Sequence, residues 1–142
     1  MVERERHHRQ NAVLVCEDDP VQAHATVSVL QAQGWRVIGP AVSAKQAARL
    51  AEDETICAAL LDVSLDGGSS AEAGSILRAR GVPFAFVTSY GPATAATLGQ
   101  FSEHLVVPKP ITAELVEQIL DTLLTPHRAA ALREAPALSA TP

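Results

Sequence analysis

Four apolar stretches of the sequence end on residues able to do chemistry: Asn11 to Cys16 on Glu17-Asp18, Ile56 to Leu61 on Asp62, Phe84 to Val87 on Thr88, and Leu105 to Val107 on Lys109, which lies between Pro108 and Pro110. Carboxylates are hard oxygen ligands suited to Mg²⁺, which takes one or two from a protein and completes its shell with water and phosphate oxygens. Asp62 could also act as a nucleophile, as carboxylates do when they form aspartyl phosphates. A hydroxyl from Thr88 and an ammonium from Lys109 could hold oxygens of a transferred phosphoryl group, whose charge is spread over them. Taken alone, Asp62 has a second reading as a loop carboxylate that caps its own backbone amides.

These residues share one place only if the elements between them alternate. Asn11 to Cys16 is a β-branched apolar run, hence strand one. Asp19 before Pro20, with Gln22 three residues on, has the form of an N-cap and capping box, which leaves Glu17 and Asp18 without a structural task. Ala23, Val27 and Leu30 give the following helix an apolar stripe, and Gly34 stops it. Trp35 to Ala41 is strand two; Ser43 with Gln46 opens an Ala-rich helix to about Asp53; Ile56 to Leu61 is strand three. Gly67 and Gly68 let the chain turn away beneath Asp62. Ser69 with Glu72 forms a third capping box, and Ala73, Ile76 and Leu77 are the inner face of a helix ending near Gly81. Phe84 to Thr88 is strand four, Ala93 to Gly99 a short helix of small residues, Leu105 to Val107 strand five, and Thr112 to Leu124 an amphipathic helix.

Five alternations of strand and helix, joined by right-handed crossovers, predict a doubly wound α/β sandwich around a parallel five-stranded sheet. The flavodoxin-like order 2-1-3-4-5 puts the switch point between strands one and three, so Glu17 and Asp18 face Asp62 at the carboxyl ends of the strands. The chain of 142 residues is the size of one domain, expected over 11–125 between a flexible segment 1–10 and an Ala/Pro-rich tail 126–142 that is partly disordered.

Composition narrows the function. A net charge of −5 without clustered Lys and Arg argues against a nucleic-acid surface. No apolar run approaches the ~18 residues of a membrane span, and charges fill the first ten residues where a signal peptide needs an apolar centre, so a cytoplasmic protein is expected. Cys16 and Cys57 sit in apolar runs without metal-ligand spacing and read as reduced thiols. His24 and His104 read as surface residues, and Trp35 as packing.

The ordered set formed by the acidic pair Glu17-Asp18, Asp62, Thr88 and Lys109-Pro110 resembles the receiver domain of two-component response regulators, over about residues 11 to 125. The resemblance implies that Asp62 accepts a phosphoryl group from a histidine kinase. It also implies a Mg²⁺ ion held by Asp18, Asp62 and the backbone carbonyl of Ser64, with Glu17 acting through water, and phosphate binding by Thr88 and Lys109. Pro83-Phe84-Ala85-Phe86-Val87-Thr88-Ser89-Tyr90-Gly91 is similar to the "FAT GUY" group of single-domain receivers, associated with HWE and related (HisKA2) kinases, although Val87 and Ser89 depart from that motif. Gly39-Pro40-Ala41 also resembles this group. Val106 stands where many receivers carry a Tyr or Phe switch, which excludes an aromatic switch there and leaves Tyr90 as a candidate gate. Asp66 stands where many have Pro, either as an ordinary loop carboxylate or as added negative charge near the metal.

The expectation is a stand-alone response regulator, since the chain ends soon after the last helix. It would signal through a downstream protein or drain phosphate from its kinase, as a monomer or a phosphorylation-dependent dimer, and would not be an enzyme beyond self-catalysed phosphoryl transfer and autodephosphorylation. Two other readings stand beside it. A haloacid-dehalogenase-type phosphatase expects a second Asp where Ser64 stands, and a pseudo-receiver would bind partners without phosphorylation.

Overall fold

The computed structural model describes residues 11–89, 98–101 and 105–125. Segments 1–10 and 126–142, the candidate gate Tyr90, His104 and most of the helix expected from Ala93 to Gly99 lie outside the described residues.

Strands β1 (Ala12–Cys16), β3 (Ala58–Asp62) and β6 (Phe84–Thr88) are buried along their whole length. Continuous apolar runs become central strands of a parallel sheet because both faces must be covered. With β2 (Arg36–Ala41) and β7 (Leu105–Pro108) at the edges, the order is β2-β1-β3-β6-β7, all pairs parallel. This is the expected 2-1-3-4-5 arrangement, the two extra labels belonging to a hairpin described below.

Helices α1 (Pro20–Ala32) and α4 (Ala113–Leu124) cover one face of the sheet, and α2 (Ala44–Asp53) and α3 (Ala71–Arg80) the other. The capping signals at Asp19 and Ser43 hold, and Thr112 caps α4 in the same way. Asp19 accepts from the amides of Val21 and Gln22, Ser43 from that of Gln46, and Thr112 from that of Leu115. The third capping box does not form. Helix α3 starts one residue later, capped by Ser70 without a side-chain bond, while Ser69 Oγ accepts from the Ala71 amide two residues on, at 3.2 Å. In α1 only Ala23 and Leu30 of the expected stripe are buried; Val27 is half-buried.

The two faces are built differently. Against α2 and α3, small Ala47, Ala51 and Ala73 bring the helices close, and Phe84, Phe86 and Phe101 meet edge to face at centroid distances of 5.2–5.8 Å. Phe101 belongs to a 3₁₀ turn (Gly99–Phe101), under the Arg78 guanidinium and against Gly74, where an added Cβ would lie 3.1 Å from the ring. Each such aromatic pair contributes about 0.5–1.5 kcal/mol beyond its buried area. Against α1 and α4 the core is aliphatic, from Val13, Val15, Leu60 and Val87 to Val116, Ile119 and Leu120.

Two departures from regular strands shape the upper rim. The register of β1 on β2 shifts between Leu14 and Cys16, where Gly39 takes φ +101°; a Cβ there would lie 2.7 Å from the Ala41 amide nitrogen and 2.8 Å from the Val15 carbonyl oxygen. Below Asp62, β4 (Ser64–Leu65) and β5 (Gly68–Ser69) pair as a tight antiparallel hairpin turned through Gly67 at φ +82°. Asp66, at the hairpin's tip, donates its amide to the Val42 carbonyl and accepts from the Ala44 amide, tying the segment after Asp62 to the start of α2.

Candidate functional site

Parallel pairing of β1, β3 and β6 in register brings their carboxyl ends level: Cys16 lies beside Leu61, Asp62 beside Val87, and Thr88 beside Pro108. The residue after each end is therefore delivered to one rim. Glu17 continues the sheet pattern, its amide donating to the Ala41 carbonyl at 2.8 Å, and Lys109 does likewise to the Thr88 carbonyl at 2.9 Å. Backbone ladder bonds, rather than side chains, thus fix where the acidic pair and the lysine leave the sheet.

Lys109 Nζ sits between two carboxylates, 2.7 Å from Glu17 Oε1 and 3.0 Å from Asp62 Oδ2. Burial alone would lower the pKa of this ammonium, but its bonds to Glu17 and Asp62 outweigh burial and hold it above the usual lysine range. Lys109 therefore remains charged across physiological pH. Glu17 is pushed up, because burial outweighs the Lys109 bond and the Asp19 amide that hold the charge, and nearby Asp62 adds to the rise. Its Oε2 accepts from the Asp19 amide at 3.0 Å, so Glu17 is tied to both Lys109 and the start of α1.

Asp62 is buried at the rim, and among the described residues its carboxylate bonds to Lys109 rather than to the amides of its own loop. Asp62 thus lines a cleft instead of capping its own loop. Asp18 is exposed, and Thr88 is buried at the end of β6. Ser64 lies in β4, directly after the segment that carries Asp62. Glu17, Asp18 and Asp62 each present one carboxylate oxygen within 4.8 Å of the others. Three hard carboxylate oxygens gathered at one rim are the kind of donor set that suits Mg²⁺, with water completing its shell. Because Glu17 is already paired to Lys109 and Asp18 is exposed, the two acids of the pair are not equivalent.

The cysteine beside the acids is chemically quiet. Burial, reinforced by the Asp62 charge, pushes the Cys16 thiol up to about 12, and its side chain packs in the core on the α2/α3 side. Cys57 is half-buried, and its thiol is also raised by burial. His24 is exposed on α1, and Trp35 packs beside the aliphatic core just before β2. Val106 pairs with Phe86 in the sheet and packs against the aromatic side of the core. Among the described residues no helix is long and apolar enough to cross a membrane.

Two features escaped the sequence. One is the hairpin β4–β5, whose only signal was Gly67-Gly68. The other is the extent of the cleft at Asp62, Glu17 and Lys109, about 380 Å³ and running from the carboxylates toward α1.

A model of the response regulator receiver domain matches residues 13–121. The solution structure of SdrG from Sphingomonas melonis Fr1 is 32% identical, with 81% of this chain and 97% of that one covered, at a TM-score of 0.69. The signal receiver domain of a modulated diguanylate cyclase from Desulfovibrio desulfuricans G20 is 24% identical, covering 84% and 96% of the two chains at a TM-score of 0.72. The receiver domain of the sensor histidine kinase PA1611 from Pseudomonas aeruginosa PAO1, whose structure has a magnesium ion coordinated in the active site cleft, is 24% identical over 80% and 97% at 0.70. No curated protein matches the sequence.

Proposed function

The chain belongs to the response regulator receiver domain family of two-component systems, and from that premise we propose that it takes a phosphoryl group from a sensor histidine kinase onto Asp62. The observation that carries this reading is the Lys109 ammonium held 3.0 Å from Asp62 Oδ2, a cation placed where phosphoryl oxygens would arrive. An Asp62 carboxylate oxygen forms the new O–P bond as the N–P bond of the donor phosphohistidine breaks, and the imidazole leaves with the electron pair. Lys109 then trades its bond to the Asp62 carboxylate for one to a phosphoryl oxygen, and the Thr88 hydroxyl holds a second. Asp18, Asp62 and the Ser64 carbonyl are the direct holders of Mg²⁺ in this reading, with Glu17 acting through water. When bound, the ion neutralises charge on the phosphoryl oxygens. Thr88 drawn toward the phosphoryl group shifts a two-state surface at the β7 edge of the sheet and α4.

The protein acts as a stand-alone receiver, with a downstream protein as its target or its kinase as the source that it drains; the product is an aspartyl phosphate rather than a turned-over substrate. The likeness of Pro83 to Gly91 to the FAT GUY group supports this, and with it a kinase of the HWE or HisKA2 type. The test is Mg²⁺-dependent labelling of wild type and Asp62→Asn by a small phosphodonor and by autophosphorylated kinases of the source organism. Label on wild type alone is expected. Equal label on Asp62→Asn would overturn the assignment, and no label from any donor would favour a pseudo-receiver.

A further inference from the structure

At the end of the sheet opposite Asp62, a groove of about 530 Å³ opens between the turn joining α1 to β2 and the C-terminal half of α4. Trp35 and Leu124 give it an apolar lining, and Glu117 and Asp121 a charged one. The two acids stand one helical turn apart on α4, whose 12 residues include Glu114, Glu117 and Asp121 and no Lys or Arg. Among the described residues no Lys or Arg lines the groove. Trp35, the single tryptophan of the chain, is half-buried and packs against the aliphatic core while it lines the groove. An indole beside two carboxylates suits a guanidinium, whose planar group stacks on aromatic faces and pairs with carboxylates.

The chain itself enters through this groove. Asn11 lines it and is 4% exposed, its Nδ2 donating to the Gly34 carbonyl at 2.7 Å and its carbonyl accepting from the Arg36 amide at 3.2 Å. The residues before Asn11 must therefore leave by way of the groove, and they include Arg4, Arg6 and Arg9. In an extended chain alternate side chains point to opposite sides, so Arg4, Arg6 and His8 share one side and Glu3 and Glu5 take the other. Reach is sufficient. The seven residues from Arg4 to Asn11 span up to ~24 Å, whereas Glu117 and Asp121 are ~6 Å apart along α4. The segment after α4 also starts here, since Thr125 lines the groove. It would have to double back along about two turns of α4 to reach Glu117, with Arg128 and Arg133 as its arginines.

We propose that residues 1–10 dock in this groove of their own chain, Arg4 and Arg6 pairing with Glu117 and Asp121 and one guanidinium lying on Trp35. The segment then straps α4 to the corner between α1 and β2, and its arginines offset the negative charge that α4 does not balance within its own length. The strap is independent of phosphoryl transfer at Asp62, whose failure would leave it standing.

Trp35 supplies the readout. Acrylamide, an uncharged quencher, is titrated into the full chain at about pH 8, where His7 and His8 are neutral. Arg4→Gln/Arg6→Gln/Arg9→Gln is expected to raise the quenching constant of Trp35 about two-fold or more, the population shift that follows loss of a cation–π contact and its ion pairs. Raising NaCl to about 1 M, where the screening length is ~3 Å, should do the same to wild type and little to the triple variant. Glu117→Arg/Asp121→Arg should also expose Trp35, and adding Arg4→Glu/Arg6→Glu/Arg9→Glu should restore its shielding. A quenching constant in the triple Gln variant equal to that of wild type would overturn the proposal. So would a rise produced by Arg128→Gln/Arg133→Gln in its place, which would assign the groove to the segment after α4. Wild-type shielding lost on dilution would assign the groove to a second copy and overturn it too. Should Glu117→Arg/Asp121→Arg fail to fold, the arginine substitutions and the salt series decide alone.

Discussion

The middles of the central strands and their carboxyl ends differ as much as two regions of one small protein can. In the middle, Leu14, Ala59, Leu61 and Phe86 are fully covered and pack in one apolar cluster. At their ends Glu17, Asp18 and Asp62 gather three carboxylates, two of them paired to the Lys109 ammonium. The same strands thus gain stability along their length and lose some at their tips, where burial disfavours charge and the Lys109 ammonium and the Asp19 amide offset it in part. The lesson is that substitutions in the two regions should move stability and phosphoryl transfer in opposite patterns.

The largest effect is expected in the middle. Phe101→Ala empties the seat shared with Phe84, Phe86 and Arg78 and should lower unfolding free energy by about 3–5 kcal/mol, read by denaturant titration, while Asp62 remains labelled by phosphoramidate under folding conditions. Loss of labelling in a variant still folded would break the separation of the two regions.

Gly74→Ala is next. The new methyl would lie 3.1 Å from Phe101 Cζ, and two other rings prevent Phe101 from moving aside. A net loss of about 1 kcal/mol is expected, overpacking outweighing the better helix propensity of Ala. In a Phe101→Ala background the same change should turn stabilising by up to about 1 kcal/mol, because only propensity is left. Additivity of the two substitutions would show that the ring contact is not the cause.

The smallest effect belongs to the tips and has the opposite sign. The folded-state pKa of Glu17 is raised above its unfolded value. Its contribution is therefore fully favourable below the unfolded carboxylate pKa of about 4.3 and is lost as pH rises through the folded value. Glu17→Gln should consequently match wild type in acid and melt slightly higher at neutral pH without Mg²⁺, while binding Mg²⁺ more weakly. A lower Tm at neutral pH would mean that the Glu17–Lys109 pair stabilises more than its burial costs, and the contrast between middles and tips would fail.

Much of this contrast was legible in the sequence, because it depends on local patterns. The apolar runs and their polar ends marked β1, β3, β6 and β7, and Asp19-Pro20 marked the start of α1 through bonds made within three residues. What was not legible depends on distant residues. The Glu17–Lys109 pair joins positions 92 apart, and no spacing rule could assign the lysine to Glu17 as well as Asp62. The hairpin β4–β5 has two residues a side and is held by backbone bonds from Asp66 to Val42 and Ala44, so its local sequence carries little signal. Ser69 looked like a cap because Glu72 follows at the right interval. The chain instead makes the hairpin first, which uses Ser69 as a strand residue and passes the cap to Ser70.

Gly39 carries a consequence for anyone reading this protein through its alleles. Every side chain placed there would press into the carbonyl of Val15, two residues before Glu17, in a backbone shape that L-residues resist. Random mutagenesis scored by loss of signalling should therefore return position 39 together with the carboxylates of the rim. Such a map would mark as functional a glycine that touches no metal or phosphate, whose task is to let one strand pass close enough to another for the acidic pair to be aimed.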